Sequence, residues 1–153
     1  SGHLDPPLSL KGKEQATELG KRYERRPPPV LLCSDLKRSR QTAEIAFPGV
    51  PLIQSPQLRE WNYGVYNGKG VVEVEALRKR YLQEPFPGGE SLEEVAQRVW
   101  NFLNEEWGEE VLVIGHRSTF YALEHFCNRR PLEEVVAAPW KWQKGWLYRA
   151  TSK

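Results

Sequence analysis

Two short, wholly apolar runs, Val30-Leu31-Leu32-Cys33 and Val111-Leu112-Val113-Ile114, restrict this chain more than any other feature. A run without polar alternation reads as a strand covered on both faces. Each run leads into turn residues and then a helix signal: Ser34-Asp35 before a helix at about 36–46, Gly115-His116 before one at about 118–127. Buried strands alternating with amphipathic helices predict an α/β fold, a three-layer α/β/α sandwich with a mainly parallel central sheet. At 153 residues the chain fits a single domain spanning 1–153. It is also long enough to bury a core without a metal or disulfide.

The remaining elements follow from local signals. Ser9 is a good N-cap for a helix to about Arg25, with Ala16, Leu19, Gly20 and Tyr23 on one face. Pro27-Pro28-Pro29 ends it. Leu52-Ile53 suggests another short strand, and Val72–Leu82 a helix. Ser91-Leu92-Glu93-Glu94 is a capping box opening a helix to about Trp107. Gly145–Arg149 reads as a closing strand. Residues 58–70 follow neither helical nor strand period, and long structured loops of that kind often carry function.

Composition excludes several classes. Net charge is only +2, and the basic residues of the first helix mix with Glu14, Glu18 and Glu24, so it is a solvated face rather than a nucleic-acid stripe. No run of apolar residues is long enough for a transmembrane helix, and no signal peptide opens the chain. Cys33 and Cys127 lie outside any CxxC pattern and fit free thiols in a cytoplasmic protein, although spacing leaves a disulfide open. Three histidines without ligand spacing argue against a metal site.

The chemistry-bearing residues gather at the two strand-to-helix corners. In an open α/β sheet, ligands bind beyond the carboxyl ends of the strands, and both corners lie there. A helix N-terminus offers free N–H groups to a phosphate, and Arg38 adds a planar guanidinium suited to phosphate oxygens. Singly, Arg38, Glu60 and His116 are each ordinary surface, loop or capping residues. Their joint order along the chain makes them candidates.

That order resembles the histidine phosphatase superfamily, also called phosphoglycerate-mutase-like. Asp5-Pro6-Pro7-Leu8-Ser9 with Gly12, Gln15 and Ala16 resembles the family's D-x-PLS-x-x-G-x-x-QA segment. Ser34-Asp35-Leu36-Lys37-Arg38-Ser39-Arg40-Gln41-Thr42-Ala43 is similar to its S-x-L-x-R-A-x-QTA stretch. Leu58-Arg59-Glu60 with Gly64 and Gly68, then Gly88-Gly89-Glu90-Ser91 and Val113-Ile114-Gly115-His116, continue the likeness over nearly all of the chain.

The resemblance implies a metal-independent, cofactor-free, cytoplasmic phosphomonoesterase of a bacterial phosphatase branch. It would act on small phosphorylated metabolites through a phosphohistidine, with a homodimer allowed and neither nucleic acid nor membrane as partner. Arg38 would be the pocket arginine and His116 the second histidine, stabilising charge on the phosphoryl oxygens. Glu60 would protonate the leaving oxygen and then activate water, a task calling for a carboxyl pKa above its ordinary value. Asn62, Arg117 and Ser118 would contact substrate; Arg117 stands where the family often has Gly. Trp61, Tyr63 and Tyr66 are either a wall for Glu60 or core.

The family's opening strand ends in Arg-His-Gly, whose histidine accepts the phosphoryl group. No segment before Asp5 matches it, and His3 sits in the loop that follows that motif, so it is not taken as nucleophile. In this fold the strand lies within the sheet, and omitting it leaves backbone unpaired. The expectation is a polypeptide longer at its N-terminus by some two dozen residues; an intact mass of 17.7 kDa would refute it. Rival readings are a non-catalytic phospholigand-binding protein on the same fold and a mutase. The Trp-dense tail, 138–146, reads as packing and resembles the phosphatase branch.

Overall fold

The computed structural model describes residues 2–149. Its strands are β1 (Leu31–Cys33), β2 (Leu52–Gln54) and β3 (Leu112–Ile114), and they form a parallel sheet in the order β2-β1-β3. Its helices are α1 (Leu10–Arg22), α2 (Lys37–Ala46), α3 (Val71–Arg78), α4 (Leu92–Leu103), α5 (Arg117–Phe126) and α6 (Leu132–Ala137).

Successive strand residues point to opposite faces, which divides the core into two layers. Leu31, Cys33 and Ile114 pack with Leu19 of α1 and with Ala43 and Ala46 of α2. Leu32 and Val113 face the other way, against Leu92, Val95 and Val99 of α4 and Tyr121 and Ala122 of α5. Both faces of the sheet are therefore covered, which is why the two apolar runs lack polar alternation, and the α/β/α sandwich follows.

The N-caps of α1 and α4 are local. Ser9 Oγ accepts from Gly12 N at 3.0 Å, and Ser91 and Glu94 form the reciprocal capping box that opens α4. At α2 the N-cap is Leu36, whose side chain caps nothing. Asp5 reaches over from the N-terminal loop, and its Oδ1 accepts from Lys37 N at 2.6 Å. The residues expected to cap α2 are engaged elsewhere: Ser34 with His116, and Asp35 with Arg59.

Several expectations need correction. The helix from Ser9 ends at Arg22, short of Arg25, and the helix from Ser91 at Leu103, short of Trp107. The helix expected at 72–82 is α3 followed by a 3₁₀ turn, Lys79–Tyr81. The short helix α6, opened by Pro131, was not anticipated. Gly145–Arg149 is not a strand; it pairs with none of the three. The segment lies against the helices instead, with Trp146 on Phe120 of α5 and the Lys144 carbonyl accepting from Arg22 of α1.

The 58–70 loop is held by aromatic packing. Trp61 and Tyr63 are buried and meet Phe86 edge-on, with ring centres 5.4 and 5.3 Å away. Both belong to the core. Gly64 adopts φ +58, and a side chain there would run into the Pro87 carbonyl, so the loop closes only on glycine. Among the described residues β3 has a strand partner on one side only, both cysteines are free thiols, and no helix is long and apolar enough to cross a membrane.

Candidate active site

Parallel register builds the site. Cys33 of β1 pairs with Ile114 of β3, so the residues after each strand emerge side by side. Ser34 Oγ lies 2.6 Å from His116 Nε2. Ser39 ties the corners together: its hydroxyl donates to the Ile114 carbonyl at 2.9 Å and accepts from Ser34 N at 3.2 Å. His116 N donates to Thr119 Oγ1 at 2.9 Å, fixing the turn into α5.

Glu60 comes to the same place from the 58–70 loop. Its Oε1 accepts from Ser118 N at 3.0 Å and from Trp61 N at 2.8 Å, and its Oε2 from Arg117 N at 3.2 Å. The carboxylate thus caps the N-terminus of α5, where N–H groups and helix dipole favour an anion. Burial alone would push its pKa up, but neighbouring His116 and the N–H groups of Trp61 and Ser118 outweigh that and hold it below the usual carboxylate value. The raised pKa expected for a proton donor is not what the resting site has. His116 is driven down to about 4, chiefly by burial; Glu60 pulls upward, while Arg38 reinforces the fall. At neutral pH the pair is carboxylate and neutral imidazole.

Arg38 projects from α2, with Nη1 donating to the Leu4 carbonyl and Nη2 to that of Gly2, both at 2.9 Å. It lies close enough to influence both Glu60 and His116. The structure therefore brings together all three residues that the sequence placed in the catalytic set.

The other sequence candidates divide. Asn62 serves its own loop: its side-chain oxygen accepts from Gly64 N at 2.9 Å and Asn67 Nδ2 at 2.8 Å. Ser118 is fully buried; its N–H holds Glu60 and its hydroxyl faces the Arg59 carbonyl at 3.4 Å. Both thus shape the site from within. Arg117 stretches sideways, its guanidinium 4.6 Å from the centre of the Trp140 ring and Nη1 3.4 Å from Glu75 Oε1.

Several residues at the site were not anticipated. The sequence marks Ser34 only as a helix cap. His3 stands beside the pocket, its Nε2 2.7 Å from the Glu60 carbonyl; a carbonyl only accepts, so Nε2 carries the proton. Arg98 clamps the loop from α4. It pairs with Glu90 through Nε and Nη2, at 2.8 and 2.9 Å, while its Nη1 donates to the carbonyls of Gln57 and Arg59 at 2.6 and 3.1 Å. Glu90 Oε1 accepts in turn from Asn62 N at 3.0 Å. Asp35 and Arg59 make a two-bond pair at 2.7 and 2.6 Å on the flank. The Glu90 motif was visible in the sequence, but nothing linked it to an arginine eight residues on.

Comparison with known proteins identifies the family. The model of the histidine phosphatase superfamily (branch 1) matches residues 1–141. The chain is 38% identical over 130 residues to phosphoserine phosphatase 1 of Hydrogenobacter thermophilus, covering 75% of this chain and 61% of that protein. It is 32% identical over 142 residues to 2,3-bisphosphoglycerate-dependent phosphoglycerate mutase 2 of Gloeobacter violaceus, covering 80% and 65%. The chain thus spans less than two thirds of the length of either relative. Among solved structures, YhfR of Bacillus stearothermophilus superposes with a TM-score of 0.77 at 26% identity, over 94% of this chain and 78% of that one. With Arg38, Glu60 and His116 converging at the carboxyl ends of parallel strands, the chain belongs to the histidine phosphatase superfamily.

Proposed function

We propose that this chain carries the anion-stabilising and proton-transfer groups of a metal-independent phosphomonoesterase that acts on small phosphorylated metabolites through a phosphohistidine. The observation that carries this reading is the enclosed carboxylate of Glu60, held at the N-terminus of α5 between His116 and Arg38. A histidine nitrogen forms the bond to phosphorus while the ester P–O bond breaks. Glu60 gives its proton to the leaving oxygen, then takes one from the water that hydrolyses the phosphohistidine. Arg38 and His116 stabilise charge on the non-bridging oxygens.

The lowered pKa of Glu60 fits this sequence once substrate charge is included. A phosphate dianion nearby disfavours a carboxylate and favours an imidazolium, so it pushes both Glu60 and His116 upward. The resting site is unprotonated, and arrival of the substrate loads the proton that the chemistry uses. We assign the accepting histidine to a strand on the outer edge of β3. A parallel strand there ends beside His116, as β1 does on the opposite side.

Two free cysteines fit a reducing, cytoplasmic compartment. The likeness to a phosphoglycerate mutase supports a second reading, transfer back to another hydroxyl of the same substrate. Following products by phosphorus NMR separates the two. The direct test of the first is Glu60→Gln in the complete polypeptide. Phosphoenzyme formation should slow about 10²–10⁴-fold, the usual worth of a positioned proton donor, with phosphate affinity little changed. Equal rates in variant and parent would overturn the assignment, and loss of activity in EDTA would overturn metal independence.

A further inference from the structure

One fully buried side chain at the site has no task in phosphoryl transfer as described. Ser34 follows β1 directly and shares its corner with the start of α2, which carries Arg38. Its Oγ lies 2.6 Å from His116 Nε2 and 3.4 Å from Leu36 N, and among the described residues the hydroxyl has no other hydrogen-bond partner. The placement is fixed from both strands. Ser34 N donates to Ser39 Oγ at 3.2 Å, and the Ser39 hydroxyl donates at 2.9 Å to the carbonyl of Ile114, two residues before His116. Cys33 and Ile114 are register partners. The hydroxyl and the imidazole therefore keep their distance unless β1 parts from β3.

A ring that gains and loses a proton makes a demand on whatever touches Nε2. A bare Nε2 needs a donor, and a protonated Nε2 needs an acceptor. The Leu36 N–H only donates, so the Ser34 hydroxyl keeps its hydrogen and one lone pair for His116. By turning about its Cβ–Oγ bond it meets either state without moving a heavy atom. The other groups acting on the ring are charged or ionisable: Glu60 from the 58–70 loop, Arg38 from α2, His3 from the N-terminal loop and Arg98 from α4. Of these only Glu60 favours the imidazolium. Ser34 adds to it, because a hydrogen bond from a charged donor is roughly twice as strong as one between neutral groups.

We propose that Ser34 is the positioning residue of His116. Its hydroxyl gives its hydrogen to Nε2 when that nitrogen is bare and accepts from Nε2–H when it is protonated. It thereby holds a buried ring in place while the ring takes up a proton from solvent on arrival of a phosphoryl group. Ser34 acts through His116 and not on the phosphoryl group itself. The inference rests on the phosphomonoesterase reading and names the residue behind its charge-stabilising histidine.

NMR of the complete polypeptide with ¹⁵N-labelled histidine tests it, with inorganic phosphate as the probe. In the parent, the Nε2 shift of His116 should be that of a hydrogen-bonded nitrogen with and without phosphate. Ser34→Ala should lower the phosphate-bound His116 pKa by about one unit, the excess of a charge-assisted hydrogen bond over a neutral one. It should cut kcat/KM for p-nitrophenyl phosphate about tenfold by the same amount. Ser34→Thr keeps the hydroxyl and should titrate like the parent. A serine that only supports the fold would lower Tm and leave the titration where it was. A folded Ser34→Ala with an unmoved His116 titration therefore overturns the proposal, as does a folded Ser34→Thr that titrates like Ser34→Ala. Should neither variant fold, the parent decides, and an Nε2 free of hydrogen bonding in either state overturns it. Absence of turnover while the titration still depends on Ser34 would instead sink the phosphatase reading and leave the positioning role standing.

Discussion

Glu60 and His116 each set the protonation of the other, and the neutral imidazole has a thermodynamic consequence. In an unfolded chain a histidine titrates near ~6.5, whereas folded His116 titrates near 4. Between those values the unfolded state binds a proton that the folded state refuses, so stability falls as pH drops through that window. Urea midpoints at pH 7, 5.5 and 4.5 should decrease in order, and His116→Asn should flatten the trend. The imidazole C2 proton should report the same low pKa by NMR and move upward when phosphate is added; a titration near 6.5 in the free protein would contradict the burial account. Arg38, Glu60 and His116 were legible in the sequence because they stand in ordered motifs. Arg98 and His3 were not: each is a lone residue whose role depends on what the fold brings beside it. The direction of the Glu60 pKa was misread because the sequence does not reveal that the carboxylate sits on a helix N-terminus.

Elements were legible where signals were local. The capping box at Ser91 and the N-cap at Ser9 define α4 and α1 as their spacing predicts. Failures occurred where a partner distant in sequence decides. α2 is capped by Asp5 across 32 residues, which no local rule reveals. Asp5→Ala should cost about 1 kcal/mol, the usual loss of an N-cap acceptor, read as a lower Tm. It should also loosen the loop that gives Arg38 its carbonyl partners. An unchanged Tm would mean water replaces the carboxylate. The β-prone run Trp146-Leu147-Tyr148 suggests a strand, yet a strand exists only where an edge accepts it, and Trp146 lies against α5 instead.

At the scale of the molecule, the sheet separates two cores that share no residue. Leu31→Ala empties the layer under α1 and α2, and Leu92→Ala the layer under α4 and α5. Each should cost about 2–5 kcal/mol. With no shared contacts the double variant should equal their sum to within about 0.5 kcal/mol, measured by urea unfolding; a larger departure would mean the layers are coupled through the strands. The same architecture has a practical side. All the chemistry lies at the carboxyl ends of β1 and β3. The opposite end is made of the turn before β2, the proline run before β1 and the exposed residues 108–110 before β3, where Arg26 pairs with Glu110 at 3.0 Å. An affinity handle, a fluorophore or an immobilising linker grafted at the exposed Glu109 would therefore hang from the back of the molecule and leave the substrate's approach clear.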